Sequence, residues 1–136
     1  MGGMRFLSSR MHGILDYIVG AALLLAPEIF GFSDVGGAAV MIPRIIGVLI
    51  LVQGILTRYE LGVIKVLPFS LHVGIDYVVG IFLAGSPILF GFSDQPTNVW
   101  LPHVLFGAFI FFSTLFTETQ PGYSESNPTI SNTAAR

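Results

Sequence analysis

Four long apolar stretches divide the chain, at about residues 11–30, 38–57, 70–90 and 98–117. Each has about the 20 residues that a helix needs to cross about 30 Å of hydrocarbon at about 1.5 Å per residue. Runs such as IVGAALLLA and VLILVQGIL are apolar on all sides, whereas the strands of a membrane barrel alternate apolar and polar residues. We therefore exclude a barrel and predict an all-α membrane protein with four transmembrane helices.

The connections predict how these helices are arranged. The turn-rich segments GFSDVGG and GFSDQPT join the helices within each pair, and TRYELGVIKVLP links the two pairs. Short connections make neighbouring helices antiparallel, which predicts a four-helix bundle. The expected units are an N-terminal segment (1–10), a first two-helix repeat (11–58), a linker (59–69), a second two-helix repeat (70–118) and a polar tail (119–136). The composition of the tail predicts disorder.

Composition restricts the partners and the kinds of reactive site that the chain can be expected to have. The chain is 53% hydrophobic and only 10% charged, which favours the lipid bilayer as its surroundings. It has no cysteine, so disulfides, thiolate metal sites and cysteine nucleophiles are excluded. The net charge of -2 and the lack of a basic run exclude nucleic acid as an expected partner.

Basic residues predict the orientation in the membrane. Two precede the first helix and two lie in the linker: Arg5, Arg10, Arg58 and Lys65. The loops at 31–37 and 91–97 contain neither lysine nor arginine. By the positive-inside rule, both termini and the linker are expected on the cytoplasmic side.

The chain contains an internal duplication. MHGILDYIVG at residues 11–20 returns as LHVGIDYVVG sixty positions later, and residues 12–34 match 72–94 at twelve of twenty-three positions. The second helices are less alike, since residues 38–57 match 98–117 at only three positions. Each unit has an even number of spans, so both copies enter the membrane in the same direction. The expected relation is a pseudo-twofold axis along the membrane normal.

Three segments resemble the SPW-repeat family of small bacterial membrane proteins. They are LHVGIDYVVGIFLAGSPILFGFSD, the upstream YELGVIKVLPF, and NVWLPHVLFG after the turn. The family is named for a Ser-Pro-Trp motif near the end of the first helix of each unit. The corresponding residues are Ala26-Pro27-Glu28 in the first copy and Ser86-Pro87-Ile88 in the second, so neither copy has the tryptophan of the motif. The resemblance implies a multi-pass protein of two-helix units in a bacterial inner membrane, and it implies no particular reaction.

Two His-x3-Asp pairs are the main candidates for chemistry. His12 and Asp16, like His72 and Asp76, are four residues apart, which puts each pair on one face of a helix. If the first and third helices line the axis, the pairs would face each other near the cytoplasmic surface. Three interpretations stay open: a histidine that tethers a buried acid, a proton or ion relay, and a divalent metal site.

A second charged pair is expected at the outer ends of the first two helices. Glu28 and Arg44 are both replaced by apolar residues in the other copy, at Ile88 and Val104. Their joint absence there predicts a mutual salt bridge in the first copy.

Proline and glycine mark the outer turns. Pro27 and Pro87 each remove one backbone hydrogen bond and are expected to kink the outer end of a helix. Gly31 and Gly91 follow at the position of a helix C-cap, which predicts a stop-and-turn device in each repeat.

Three further residues are singled out by their chemistry. Gln53 lies deep in the second helix and needs a polar partner, with Ser113 as its counterpart in the other repeat. Tyr59 and Trp100, like the phenylalanines of the loops, fit an aromatic belt at the membrane surface.

The leading functional interpretation is a non-enzymatic membrane protein with a structural or accessory role. No catalytic residues and no cofactor are predicted, although a divalent metal and a homo-oligomer both stay open. The alternative is a proton-, ion- or metal-handling protein that uses His12, Asp16, His72 and Asp76.

Overall fold

The structure is a computed structural model that describes residues 4–121. Its helices are α1 (Ser9–Ile29), α2 (Gly37–Leu56), α3 (Phe69–Leu89) and α4 (Thr97–Leu115), with a 3-10 turn at Ser33–Val35 between α1 and α2. All four helices are long and apolar enough to cross a membrane. The prediction of an all-α protein with four transmembrane helices is confirmed. The last part of the predicted tail, residues 122–136, lies outside the described residues.

The helices pack mainly in two hairpins, α1 with α2 and α3 with α4. Glycine lets the backbones approach at the same place in both hairpins. A Cβ atom on Gly47 would lie 2.6 Å from the carbonyl oxygen of Gly20, and a Cβ atom on Gly107 would lie 2.6 Å from that of Gly80. Since such contacts are too short for real atoms, a larger side chain at either position would push the two helices of a hairpin apart.

One end of the bundle holds the start of α1 and α3 and the end of α2 and α4; we call it the linker end. Backbone bridges join the two hairpins there, between Leu7 and Thr117 and between Thr57 and Leu67. The two bridges use equivalent positions sixty residues apart. Each repeat therefore uses the segment before its first helix to pair with the segment after the last helix of the other repeat.

The opposite end, which we call the loop end, contains the two GFSD turns. Gly31 and Gly91 both have φ of +73°, a left-handed conformation that favours glycine. The next residues, Phe32 and Phe92, donate their backbone N–H to Pro27 and Pro87 at 2.8 and 2.9 Å. This is the hydrogen bond of a Schellman cap, which explains why a glycine follows each proline by four residues.

Apolar side chains cover the outside of the bundle as well as its interior. Ile18, Ile45, Val78 and Leu105 are all more than half exposed, one on each helix. The inside contains fully buried residues such as Leu23 and Leu83. Since lipid is the solvent for such an outer surface, the chain is a multi-pass membrane protein.

Candidate metal centre

The two His-x3-Asp pairs meet inside the bundle at the linker end. His12 and Asp16 lie in the first two turns of α1, and His72 and Asp76 lie in the first two turns of α3. Their side chains are only 1, 10, 0 and 2% exposed, respectively. Helical spacing turns each pair to one face, and packing of α1 near α3 brings the faces together.

The shorter contacts run between the repeats rather than within a helix. His12 Nε2 lies 2.8 Å from Oδ2 of Asp76, and His72 Nε2 lies 2.8 Å from Oδ2 of Asp16. The contacts within a helix are longer, at 3.2 Å in α1 and 3.1 Å in α3. Each imidazole thus touches both carboxylates, and all four residues form one cluster, which we call the His/Asp cluster.

Two threonines determine which nitrogen of each imidazole carries the proton. Thr57 Oγ1 donates to a backbone carbonyl at 2.6 Å, and Thr117 Oγ1 makes the same bond, also at 2.6 Å. Nδ1 of His72 lies 2.7 Å from Thr57 Oγ1. Nδ1 of His12 lies 2.7 Å from Thr117 Oγ1. A hydroxyl group whose only proton is committed can only accept, so each Nδ1–H is the donor.

This assignment has a consequence for the other nitrogen. In a neutral imidazole with its proton on Nδ1, Nε2 carries a lone pair. That lone pair would point at carboxylate oxygens only 2.8 to 3.2 Å away in both histidines. Lone pairs that face each other repel, so the centre of the cluster needs a positive charge. Either protons on Nε2 or a bound cation can supply it.

The donor set fits a divalent cation of the first transition series. One ligand atom from each of His12, Asp16, His72 and Asp76 lies within 4.8 Å of all the others. Imidazole nitrogen and carboxylate oxygen bind such metals at about 2.0–2.2 Å, which in a tetrahedron separates the ligand atoms by about 3.4 Å. The four contacts that join a nitrogen to an oxygen are at 2.8 to 3.2 Å. The side chains would need to move apart by about half an ångström to fit the metal.

The surroundings of the cluster are not symmetric. Gln53 Nε2 donates to Oδ1 of Asp76 at 2.8 Å, which orients that carboxylate. The equivalent residue, Ser113, instead donates to the carbonyl of Ile110 at 3.1 Å. Asp16 therefore lacks the amide partner that Asp76 has.

Aromatic rings cover the two imidazoles. The Phe69 ring stacks on His72 with centroids 5.9 Å apart and meets His12 at 6.4 Å. The Tyr59 ring lies 5.8 Å from His72. Tyr59 is fully buried, so its assignment to an aromatic belt was wrong: the linker folds back and carries the ring into the bundle. This burial, together with Tyr17 and the charge of Asp16, raises the pKa of the Tyr59 hydroxyl.

The remaining candidates lie at the loop end. Arg44 forms an ion pair with Glu28, and it also donates to the carbonyl of Leu24 at 3.2 Å. Nε2 of His103 lies 2.9 Å from the carbonyl oxygen of Ala39. Proline at position 43 leaves that oxygen without its helical partner, and Nδ1 of the same ring lies 2.7 Å from the carbonyl oxygen of Val99. His103 is thus bound to backbone and is separate from the His/Asp cluster.

Comparison with known proteins identifies the family. The model of the SPW repeat domain matches residues 10–117. The chain belongs to the SPW repeat domain family. No curated protein and no solved structure matches the chain.

The motif of the SPW repeat lies far from the cluster. Pro27 and Pro87 are at the loop end, where they accept the hydrogen bonds of the helix caps. In the second repeat the preceding residue, Ser86, donates its hydroxyl to the carbonyl of Leu83 at 2.7 Å, the carbonyl that Pro87 leaves free. The motif therefore ends and caps the first helix of each repeat, and the polar cluster is a separate feature.

Sequence reasoning found the four acidic and imidazole side chains and singled out Gln53, which orients Asp76, but it missed the two threonines that orient the imidazoles and the Phe69 ring that covers them. Thr57 and Thr117 did carry a signal, because they are one of only three identical pairs in the otherwise divergent second helices. Phe69 carried none, since its counterpart is Ser9.

Proposed function

We propose that the chain is a membrane-embedded metal-binding protein, in which His12, Asp16, His72 and Asp76 hold one divalent transition-metal ion. The observation that carries this proposal is the direction of the four side chains. Both Nε2 atoms point at both carboxylates in a buried space, because both Nδ1 atoms are committed to threonine. Zinc, manganese and iron(II) are the metals that suit imidazole and carboxylate ligands.

Charge balance is met by the proposal, as it is by a proton on each Nε2. Two carboxylates in the interior of a membrane protein require two compensating positive charges. One divalent ion with two neutral imidazoles makes the whole centre neutral. It also turns each lone pair on Nε2 from a source of repulsion into a ligand.

The surrounding hydrogen bonds support it further. Metal-bound histidine usually donates its other N–H to an oxygen, and metal-bound carboxylates are themselves hydrogen-bonded. Thr57 and Thr117 supply the first feature, and Gln53 supplies the second for Asp76. These partners hold the ligands in place before a metal arrives.

A structural lock is the second candidate. With a proton on each Nε2, the same four residues form hydrogen bonds of ordinary length that tie α1 to α3. This role is favoured by the looser packing between the hairpins than within them. It corresponds to the structural or accessory role expected from the sequence, and like the metal proposal it needs no enzymatic activity.

The proposed placement of the centre follows from the basic residues. We propose that the linker end, with Arg58 and Lys65, faces the cytoplasm of a bacterium. The repeats are then related by a twofold axis along the membrane normal that passes through the cluster. The metal would lie between the first two turns of α1 and those of α3, next to the cytoplasmic surface.

Metal analysis of the protein purified in detergent tests the proposal. After incubation with zinc, manganese or iron(II) and removal of loose ions, the wild type is expected to retain one ion per chain. The double variant His12→Ala/His72→Ala is expected to retain none. Glu28→Gln is the matched control, because it removes a carboxylate from the same helix outside the cluster. A wild type that retains no more metal than the double variant would contradict the proposal and leave the structural lock.

A further inference from the structure

The imidazole of His103 lies between two carbonyl oxygens at the loop end. Its Nδ1 is 2.7 Å from the carbonyl oxygen of Val99, and its Nε2 is 2.9 Å from that of Ala39. The residue is only 1% exposed. A carbonyl oxygen can only accept a hydrogen bond, so both ring nitrogens must donate if both contacts are bonds. Only the doubly protonated ring, the imidazolium ion, has two N–H groups.

A neutral His103 ring would fit this position poorly. It would have one N–H group, and the lone pair of its other nitrogen would face a carbonyl oxygen at 2.7 or 2.9 Å. At these distances no water molecule fits between the two atoms. Both atoms would then be buried without the bond that compensates for their loss of water. The geometry therefore favours the charged ring.

Aromatic rings enclose the imidazole. The ring centroids of Phe32 and Phe92 lie 5.6 and 4.7 Å from that of His103. Both phenylalanines are buried. Aromatic rings attract a cation that lies within about 6 Å of their centroid. A buried charge needs such partners as well as hydrogen bonds, and this position supplies both.

The contacts of His103 come in equivalent pairs from the two repeats. Its two acceptors are sixty positions apart in the chain, and so are its two aromatic neighbours. The ring therefore touches both repeats in the same way, as the His/Asp cluster does at the opposite end. The counterpart of His103 is Pro43, which leaves the carbonyl of Ala39 free to accept a bond from the ring. One imidazole thus serves both repeats at this end.

The charged groups of the loop end are compatible with a buried cation. They are Glu28 on α1, Arg44 on α2, and Asp34 and Asp94 in the two turns. The loop-end halves of α3 and α4 add no ionisable side chain except His103. Within residues 4–121 no carboxylate forms an ion pair with the imidazole, and Arg44 is paired with Glu28. Three carboxylates against one arginine still leave an excess of negative charge, which favours an imidazolium.

We propose that His103 is a proton-binding site at the loop end, where its imidazolium form joins α4 to α2 and thereby ties the two repeats together. Release of the proton removes one of the two hydrogen bonds and leaves a lone pair facing a carbonyl oxygen. The contact is therefore pH-sensitive: it is complete in acid and weakened in alkali. The inference is independent of the metal function, because His103 lies at the opposite end of the bundle from the His/Asp cluster.

NMR of protein labelled with nitrogen-15 in its histidines tests the state of the ring. In the variant His12→Ala/His72→Ala, His103 is the only histidine of the chain, so its signals need no assignment. We expect two protonated ring nitrogens in acidic buffer and the loss of one proton as the pH rises. If this variant does not fold, the difference between the wild type and His103→Gln gives the same signals. One bare ring nitrogen in the folded protein at every acidic pH would overturn the proposal.

Thermal unfolding at acidic and alkaline pH tests whether the proton ties the repeats together. His103→Gln has an amide donor that does not titrate, so its loss of melting temperature relative to the wild type should be larger in acid. Asn98→Ala is the matched control, because the Asn98 amide donates to the carbonyl of Phe30 at 2.9 Å at the same end and does not titrate. Its loss should be the same at both pH values. A loss in His103→Gln that does not depend on pH would overturn the proposal.

Discussion

Two groups of acidic and basic side chains lie at opposite ends of the bundle, and they differ in burial and in the repeats that they join. The His/Asp cluster at the linker end is almost fully buried and takes two residues from each repeat. The pair at the loop end, Glu28 with Arg44, is 51 and 33% exposed and belongs to the first repeat alone. The second repeat has no charge at either equivalent position. Both repeats thus contribute to the buried cluster, whereas the exposed pair occurs in the first repeat alone.

The difference follows from the surroundings of the charges. A buried acid must be matched by a partner, and removal of one partner is costly. An exposed ion pair gains little, because water and salt weaken the attraction. Substitutions at the two ends should therefore have very different effects.

The largest effect is expected at the buried end. Asp76→Ala removes the carboxylate that both imidazoles and Gln53 contact, and it should lower the free energy of unfolding by about 3–5 kcal/mol. Chemical denaturation in detergent measures the change, with Glu28→Gln as the exposed counterpart. Equal stability of the two variants would mean that burial does not distinguish the two ends.

The threonines sharpen the comparison within the cluster. Thr57→Val and Thr117→Val remove the acceptor of Nδ1–H, and each should weaken metal affinity about 10- to 100-fold. Thr114→Val is a close control, because that buried hydroxyl donates to the carbonyl of Ile110 at 2.7 Å without touching a histidine. Competition with a chelator measures the affinities. If Thr114→Val weakened metal binding as much as Thr57→Val, the result would contradict the role of Thr57 and Thr117 in orienting the histidines.

A smaller effect should separate the two repeats. Gln53→Leu leaves Oδ1 of Asp76 without its amide donor and should cost about 1.5 kcal/mol of stability. Ser113→Ala, at the equivalent position, removes only a local bond to backbone and should cost less. Thermal unfolding of both variants tests this order. If Ser113→Ala were the less stable variant, the hydrogen bond from Gln53 to Asp76 would not be the more important of the two.

The smallest effect is expected for the exposed pair. The double variant Glu28→Ile/Arg44→Val copies the residues of the second repeat, and it should melt close to the wild type. The single variant Glu28→Ile leaves Arg44 unpaired and should melt lower, with a difference that shrinks at high salt. A double variant less stable than Glu28→Ile would show that the pair has a role beyond mutual neutralisation.

The fold could be predicted because membrane spans are defined by length and apolarity, which are visible in a single sequence. The helices begin and end within two residues of the apolar stretches. The glycine turns were predictable for the same reason, since Gly31 and Gly91 are local signals that need no partner.

The site was predictable only in part. The spacing of His12 and Asp16 showed that they share a helix face, and it suggested a bond within the helix. The structure shows that each histidine makes its shorter contact with the acid of the other repeat. That choice depends on how the two hairpins pack, which no local pattern reports. Burial of Tyr59 was missed for a similar reason, because the path of the linker decides it.

The central claim is that one metal ion is bound by both repeats at once. X-ray absorption of the zinc-loaded protein tests it most directly, because the first coordination shell and the imidazole rings behind it give separate signals. The account predicts nitrogen and oxygen ligands at about 2.0–2.2 Å with two imidazole rings per zinc. His72→Ala should reduce the count to one ring. A shell of oxygen alone, or one imidazole in the wild type, would contradict it.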